Sequence, residues 1–182
     1  MKKLFIIANW MQGKALSGGD RIFIELSKRW SQKLDISFFL SKEGADICSR
    51  EGLNLTNKNI WASDMFSGHY IVDGVYRTII GIFKDLCMRT YQGDIVLSSS
   101  DFLPDAIPAF ILKLKNPKIK WIASFYLFAP KPWQKKSPYK GRQYFLGLIY
   151  WLSQLPAYYI IKKFSDIVFV TSQPDIKPFI TK

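Results

Sequence analysis

Short apolar segments alternate along the chain with longer segments in which apolar residues recur at helical spacing. The short ones are apolar on both faces rather than at every second position, and residues 59–62 form the weakest of them. Near-continuous apolar strands are typical of parallel sheets that helices cover on both sides. The predicted strands are residues 2–8, 35–40, 59–62, 94–99, 119–126 and 166–171.

The segments between the strands have the period of amphipathic helices. Residues 20–34 place four apolar side chains on one stripe, and residues 70–91 and 104–115 are predicted as further helices. Asp101 is a candidate cap for the last of these, with Pro104 near its first turn. The stripe of the first helix consists of Ile22, Phe23, Leu26 and Trp30.

Alternation of strand and helix predicts right-handed crossover connections. The expected fold class is therefore α/β, with a Rossmann-like, doubly wound, mostly parallel sheet flanked by helices. A length of 182 residues with 48% hydrophobic residues suits one packed domain spanning residues 1–182 and excludes disorder as the main state. The apolar run after the first lysines stops at Asn9 without a cleavage site, so a buried strand is favoured over a signal peptide.

Two cysteines, Cys48 and Cys87, lie far apart and outside any metal-ligand spacing. Neither a disulfide framework nor a zinc site is implied, and we expect no metal and a reducing compartment.

The formal net charge of +12 calls for an anionic partner such as lipid headgroups, nucleic acid or phosphorylated ligands. Aromatic residues make up 16% of the chain, and many lie beside lysine and arginine between residues 121 and 164. That pairing favours an anionic membrane surface. No RNA-binding aromatic motif or helix-turn-helix pattern is present, so we expect no nucleic acid partner.

A glycine-containing turn follows the first predicted strand, where residues 9–20 read NWMQGKALSGGD. Neither the dinucleotide fingerprint nor the Walker loop is matched. In an open parallel sheet, ligands bind at the carboxyl ends of the strands, where glycine lets backbone amides approach an anion. An ordinary turn would also use glycine, and Lys14 and Arg21 beside it could equally meet phosphate or solvent.

Segments in a fixed order along the chain carry a more specific signal. Residues 17–21 (SGGDR) precede residues 25–29 (ELSKR), and residues 94–104 read DIVLSSSDFLP. Residues 120–126 (KWIASFY) and 166–172 (DIVFVTS) follow. The series resembles the GGxxR…ELAxxL, DVIHAHDWLP, KVVATVHH and DAVITVSE segments of the N-terminal domain of family 4 (group 1) GT-B glycosyltransferases.

The resemblance implies a function for this half of a two-domain enzyme. The first domain receives the acceptor, and a second domain binds the nucleotide sugar in the cleft between them. We therefore expect a hexosyltransferase-like protein, inactive alone, that contributes acceptor binding to sugar transfer onto a lipid-linked or polysaccharide acceptor. The expected co-substrate is a nucleotide-sugar donor, with no other cofactor. The resemblance places Ser17, Gly18, Gly19, Asp20 and Arg21 near the donor phosphates, and Asp101 and Tyr126 in the cleft as candidate catalytic residues.

Departures from the family pattern leave a second hypothesis open. Tyr126 stands where the family has histidine, and residues 98–100 (SSS) stand in place of the HAH sequence. Tyrosine, with a pKa near 10, is a poor general base at neutral pH but can hydrogen-bond a sugar or phosphate. The alternative is a non-catalytic membrane- or glycan-binding module.

Residues 175–182 read as the start of a helix, and we expect the sugar-nucleotide domain to be supplied by a separate polypeptide or a longer parent chain. The family's paired-glutamate motif has an echo in Glu43 and Glu51, which we expect to be solvated surface residues. His69 is expected to cap a helix or face solvent, and Asp105 to complement the helix N-terminus.

Residues 131–142 (KPWQKKSPYKGR) precede an uncharged stretch of 18 residues, 144–161. This length reaches the lower limit of about 17 to 25 residues for a membrane-spanning helix. A spanning helix, an in-plane helix and an ordinary core helix all stay open. The expected localisation is cytoplasmic and peripheral on the inner face of the membrane, with contacts to anionic headgroups from Lys135, Lys136, Lys140, Arg142 and Trp151.

Overall fold

A single parallel sheet forms the centre of the protein in the computed structural model, which describes residues 3–13, 16–62, 69–135 and 137–180. Its strands run in the order β3-β2-β1-β4-β5-β6, and every pair is parallel. The predicted α/β fold class with a Rossmann-like sheet is confirmed. The strands are β1 Lys3–Ala8, β2 Asp35–Ser41, β3 Lys58–Ala62, β4 Ile95–Ser98, β5 Lys120–Ser124 and β6 Ile167–Phe169.

Helices connect the strands and cover both faces of the sheet. They are α1 Gly18–Trp30, α2 Lys42–Arg50, α3 Tyr70–Cys87, α4 Leu103–Lys115, α5 Gln143–Phe164 and α6 Gln173–Ile180. Four ends of the predicted helices differ from the prediction: α1 begins at Gly18 and ends at Trp30, α3 ends at Cys87, and α4 begins at Leu103.

The early start of α1 has a local cause. Ser17 is its N-cap and accepts a hydrogen bond from the Asp20 backbone N–H at 3.1 Å, while the Asp20 carboxylate accepts from the Ser17 N–H at 3.0 Å. This reciprocal capping box satisfies two backbone donors and draws both glycines into the first turn.

β1 lies at the centre of the core, between β2 and β4. Its side chains alternate between the two helix layers, although nearly all of them are apolar. Leu4, Ile6 and Ala8 pack with Phe23 of α1 and with α2. On the other face, Phe5 and Ile7 belong to a second cluster that includes apolar residues of α4 and α5, among them Ala106, Ala109, Leu112, Ala157 and Ile161.

The orientation of α3 is opposite to that of an ordinary surface helix. Its buried residues are Asp73, Arg77, Gly81 and Asp85. Its exposed residues include Ile71, Val72, Val75, Ile79, Phe83 and Leu86. The helix packs closely on α4, because a Cβ on Gly81 would lie 2.6 Å from Cγ of Pro108.

α5 contains the uncharged stretch and packs against the domain through Gly147, Gln154, Ala157 and Ile161. Its outer side exposes Phe145, Leu146, Leu152 and Tyr159. Within the described ranges, no helix combines the length and apolar character needed to span a bilayer.

Candidate functional site

A polar cleft lies at the carboxyl ends of β1, β4 and β5, with a volume of about 420 Å³. Five predicted site residues line it: Ser17, Gly19, Asp20, Asp101 and Tyr126. Gly18 and Arg21, which were also predicted, are exposed residues of the first helical turns outside the lining of the cleft. The structure thus brings the segments that follow three strands, β1, β4 and β5, to one place.

Tyr126 stands directly against Gly19. A Cβ on that glycine would lie 2.6 Å from Cδ2 of the tyrosine ring, so a larger residue would displace the ring. The Tyr126 hydroxyl is buried and has no hydrogen-bond partner among the described residues. Burial raises the pKa of Tyr126 to about 12, so the phenol is protonated at neutral pH and available as a donor.

Asp105 is the hydrogen-bond centre of the cleft. One carboxylate oxygen accepts from the Trp10 backbone N–H at 2.8 Å, and the other accepts from the hydroxyls of Ser99 and Ser100. Only 1% of the residue is exposed, and burial raises its pKa to about 7. Asp105 does lie in the first turn of α4, as expected, but its contacts join the loop after β1 to the loop after β4.

The prediction that Asp101 caps α4 is wrong. The N-cap is Phe102, which makes no side-chain hydrogen bond to the helix. The Asp101 carboxylate instead accepts from Nε2 of Gln154 on α5 at 2.6 Å, because the loop turns it away from the helix end. Burial raises the pKa of Asp101 to about 6, which brings its protonation close to neutral pH.

Gln154 fixes the loop that follows β5. Its amide nitrogen also donates to the Leu127 carbonyl at 2.7 Å, and its oxygen accepts from the Ala129 N–H at 2.7 Å. This polar side chain within the uncharged stretch is therefore a connector between α5 and the cleft.

Arg77 of α3 fixes the loop that follows β1. Its Nη1 donates to the carbonyls of Asn9 at 3.0 Å and Met11 at 2.8 Å, and its Nη2 pairs with Glu43 at 3.1 Å. The expectation that Glu43 is simply solvated is therefore wrong, because the buried guanidinium requires a counter-charge. Glu51, by contrast, is the C-cap residue of α2.

The predicted membrane-contact residues lie away from the cleft. Lys135, Lys140 and Arg142 are exposed in the segment before α5. Trp151 packs edge-on against Trp133, with ring centroids 4.8 Å apart. Lys14 and Lys136 lie outside the described residues.

His69 occupies the N-cap position of α3 and is exposed, without a side-chain hydrogen bond to the helix backbone. Within the part of the chain that the structure describes, no cluster of three or more histidine, cysteine or acidic side chains is arranged to hold a metal ion.

No family model and no curated protein matches this chain. The resemblance in the sequence therefore stays a prediction, and functional reasoning rests on the sheet and the cleft at its carboxyl edge.

Proposed function

We propose that this domain is the acceptor-side half of a GT-B-type glycosyltransferase. It binds a membrane-associated acceptor, lipid-linked or polysaccharide, while a second domain, on a separate polypeptide or a longer parent chain, supplies the nucleotide sugar. One observation carries the proposal: the N-terminus of α1, Asp101 and Tyr126 converge on one polar cleft at the carboxyl edge of a parallel sheet. This is the edge at which such sheets bind ligands.

The cleft offers a different group to each part of a sugar-transfer reaction. The N-terminal turn of α1, with Gly19 in the lining of the cleft, presents backbone N–H groups and the positive end of a helix dipole, which suit a donor phosphate. The carboxylate of Asp20 repels a phosphate and accepts hydrogen bonds from sugar hydroxyls instead.

Asp101 and Tyr126 differ in the protons they can exchange. A carboxyl with a pKa of about 6 accepts a proton from an acceptor hydroxyl with useful driving force near neutral pH. Tyr126, with its raised pKa, stays protonated and serves only as a hydrogen-bonding group, and its orientation is fixed by contact with Gly19. In this proposal Asp101 acts as the proton acceptor and Tyr126 holds the acceptor or the donor sugar.

Membrane association follows from the exposed side chains of α3 and α5. Large apolar residues are exposed on both helices, and Lys135, Lys140 and Arg142 lie just before α5. Apolar surface bordered by cations suits the anionic cytoplasmic leaflet. The domain would then work as a peripheral protein on the inner face of the membrane.

The proposal is tested with a reassembled pair. The DNA beyond and beside the Lys182 codon in the source genome is searched for a second Rossmann unit with paired glutamates, which is then co-expressed with this chain. Transfer to a membrane lipid extract and to isolated polysaccharide is measured with radiolabelled UDP-glucose, UDP-N-acetylglucosamine and GDP-mannose.

We expect transfer by the wild-type pair and a loss of about 100-fold or more in Asp101→Asn, the usual range for a general base. Tyr126→Phe should lose about tenfold, since it removes one hydrogen bond in a buried site. Asp35→Asn is the control, because Asp35 begins β2 and so lies at the amino ends of the strands, opposite the cleft. The pair that carries it should transfer sugar normally. Absence of transfer with every donor, or full activity in both cleft variants, would overturn the proposal.

The second candidate is a membrane- or glycan-binding module without catalysis. It is favoured by Tyr126, whose high pKa removes it as a base, and by the exposed apolar residues of α3 and α5. Flotation with phosphatidylglycerol vesicles in the absence of sugar nucleotide, combined with no turnover by the reassembled pair, would select it.

A further inference from the structure

An apolar groove adjoins the polar cleft and shares its wall. This inner cavity, of about 160 Å³, is lined mainly by aromatic and aliphatic side chains of α3, α5 and the loop before α4. Trp10, Asp101, Phe102 and Tyr150 line both the groove and the cleft. The two spaces are therefore neighbours with a common boundary.

The groove continues outward to the surface. A wider cavity of about 730 Å³ lies between the beginning of α3 and the first half of α5. Tyr70, Ile71, Ile149 and Tyr150 line both it and the inner groove. Its outer walls include Val72 and Leu146, so it opens among the exposed apolar residues of the two helices.

Aromatic rings give the inner groove firm walls. Trp10 and Phe102 stack with centroids 5.1 Å apart, and Phe102 and Tyr150 stack at 5.8 Å. Tyr70 meets Trp10 edge-on at 5.1 Å. These ring contacts fix the aromatic residues that line the groove, as in a preformed ligand site.

We propose that this groove holds the hydrocarbon chain of a lipid-linked acceptor, with the acceptor head group in the cleft at Asp101 and Tyr126. The inference rests on the proposed function, because that function assigns the head group to the cleft. It deepens that function by selecting a lipid-linked acceptor over a polysaccharide.

The hydrogen bonding of the groove supports a hydrocarbon occupant. Its main polar side chains are already engaged, because Ser153 donates to the Tyr150 carbonyl and Gln154 binds Asp101 and the loop after β5. A glycan carries hydroxyls along its whole length, and burying these without partners is costly. A hydrocarbon chain needs no such partners.

Charge at the outer opening supports the same occupant. Tyr139 lines the wider cavity and is followed at once by the exposed residues Lys140 and Arg142. Cations beside an apolar opening complement an anionic leaflet, where a lipid-linked acceptor resides.

Gly74 provides a way to block the groove without unfolding the domain. It lies in the groove wall on α3, and a Cβ there would meet only the Trp10 ring, at 3.6 Å. Leucine at this position extends into the groove, and replacing a mid-helix glycine improves helix propensity. Gly74→Ala adds a single methyl group and completes a graded series.

Binding to the purified full chain is measured by isothermal titration calorimetry with farnesyl phosphate, below its aggregation concentration, and with isopentenyl phosphate. Farnesyl phosphate should bind at least about tenfold more tightly, because its longer chain buries more apolar surface. Gly74→Leu should weaken farnesyl phosphate binding by about tenfold or more and Gly74→Ala by less. Leu114→Ser, an exposed apolar position on α4, should bind as wild type.

Three outcomes would contradict the proposal that the groove holds a hydrocarbon chain. They are no binding of farnesyl phosphate, equal binding of the two phosphates, or normal farnesyl phosphate binding by Gly74→Leu. Flotation with phosphatidylglycerol vesicles separates the groove from general membrane adhesion, since Gly74→Leu should float as wild type does. Equal loss of flotation and of farnesyl phosphate binding in Gly74→Leu would count against a dedicated groove.

The two proposals fail separately. In one case, binding depends on the chain length of the phosphate and is lost in Gly74→Leu, but the reassembled pair transfers no sugar. This result would support the groove proposal and contradict the transferase proposal. In the other case, the pair transfers sugar to polysaccharide, Gly74→Leu does not change that transfer, and farnesyl phosphate does not bind. This result would support the transferase proposal and contradict the groove proposal.

Discussion

The helices α1 and α3 are both amphipathic, yet they present opposite sides to the protein. Phe23 of α1 is 0% exposed, whereas Phe83 of α3 is 64% exposed. The buried side of α3 instead carries Arg77 and Asp85. An amphipathic pattern thus shows that a helix has two faces, but it does not show which face meets the core.

Contacts of α3 with its neighbours explain its orientation. Arg77 holds the loop after β1 through two carbonyls. Lys115 of α4 donates to the carbonyls of Asp85, Leu86 and Met88 at the end of α3. Because Arg77 finds its partners on the inner side, the helix turns its polar residues inward and leaves its apolar residues exposed.

The largest expected effect compares the two phenylalanines. Phe23→Ala should lower the free energy of unfolding by about 3 to 5 kcal/mol, because it opens a cavity in the core. Phe83→Ala should change it by less than about 0.5 kcal/mol, because that ring is mostly in water. Urea unfolding measures both, and a cost of several kcal/mol for Phe83→Ala would mean that α3 is turned the other way.

A pair of arginines gives the next largest effect. Arg77→Met should cost about 3 kcal/mol, because it leaves the Asn9 carbonyl and Glu43 without this donor and the Met11 carbonyl with Ser41 alone. Arg29→Met, at an exposed position of α1, is the matched control and should stay within about 0.5 kcal/mol. The same unfolding experiment checks them, and equal effects would remove Arg77 as the support of the loop.

The pH dependence of stability should reveal the buried carboxyl of α3. Burial raises the pKa of Asp85 to about 8 in the folded state, with Lys115 opposing the shift. Because the folded state holds this proton more tightly than the unfolded state, Asp85 lowers stability progressively as pH rises from about 4 to 8.

Asp85→Asn should therefore be the more stable protein at pH 8, by several kcal/mol, and the difference should vanish near pH 4. Thermal unfolding across this range measures the effect. Asp46→Asn on α2, where the side chain is exposed, should show no such trend. A gap between wild type and Asp85→Asn that does not change with pH would place Asp85 in water.

The sheet was largely predictable because each strand is a local apolar run, and even the short β6 lies within its predicted segment. The convergence of Gly19, Asp101 and Tyr126 was also predictable, since all three follow the carboxyl ends of parallel strands. The ends of the helices were less predictable than the strands. α1 ends at Trp30, although its sequence stays compatible with a helix to Leu34.

Long-range hydrogen bonds explain what the sequence did not predict. Arg77 meets Asn9 across 68 positions, and Gln154 meets Asp101 across 53. The hydrophobic periodicity of the sequence does not predict such pairs, because it shows only that a polar residue interrupts an apolar helix and not which distant residue it contacts. The serines of residues 98–100 were noted as a departure from a family pattern, while the role of Ser99 and Ser100 as donors to Asp105 depended on the turn after β4.

The central place of β1 in the sheet has a consequence for synthesis on the ribosome. β1 pairs on one side with β2, which follows soon after it, and on the other with β4, which begins only at Ile95. At roughly 5 to 20 residues per second, several seconds pass before that second partner is made. During this time the apolar strand presents an open edge, so a nascent chain of this protein is expected to depend on chaperones until β4 emerges.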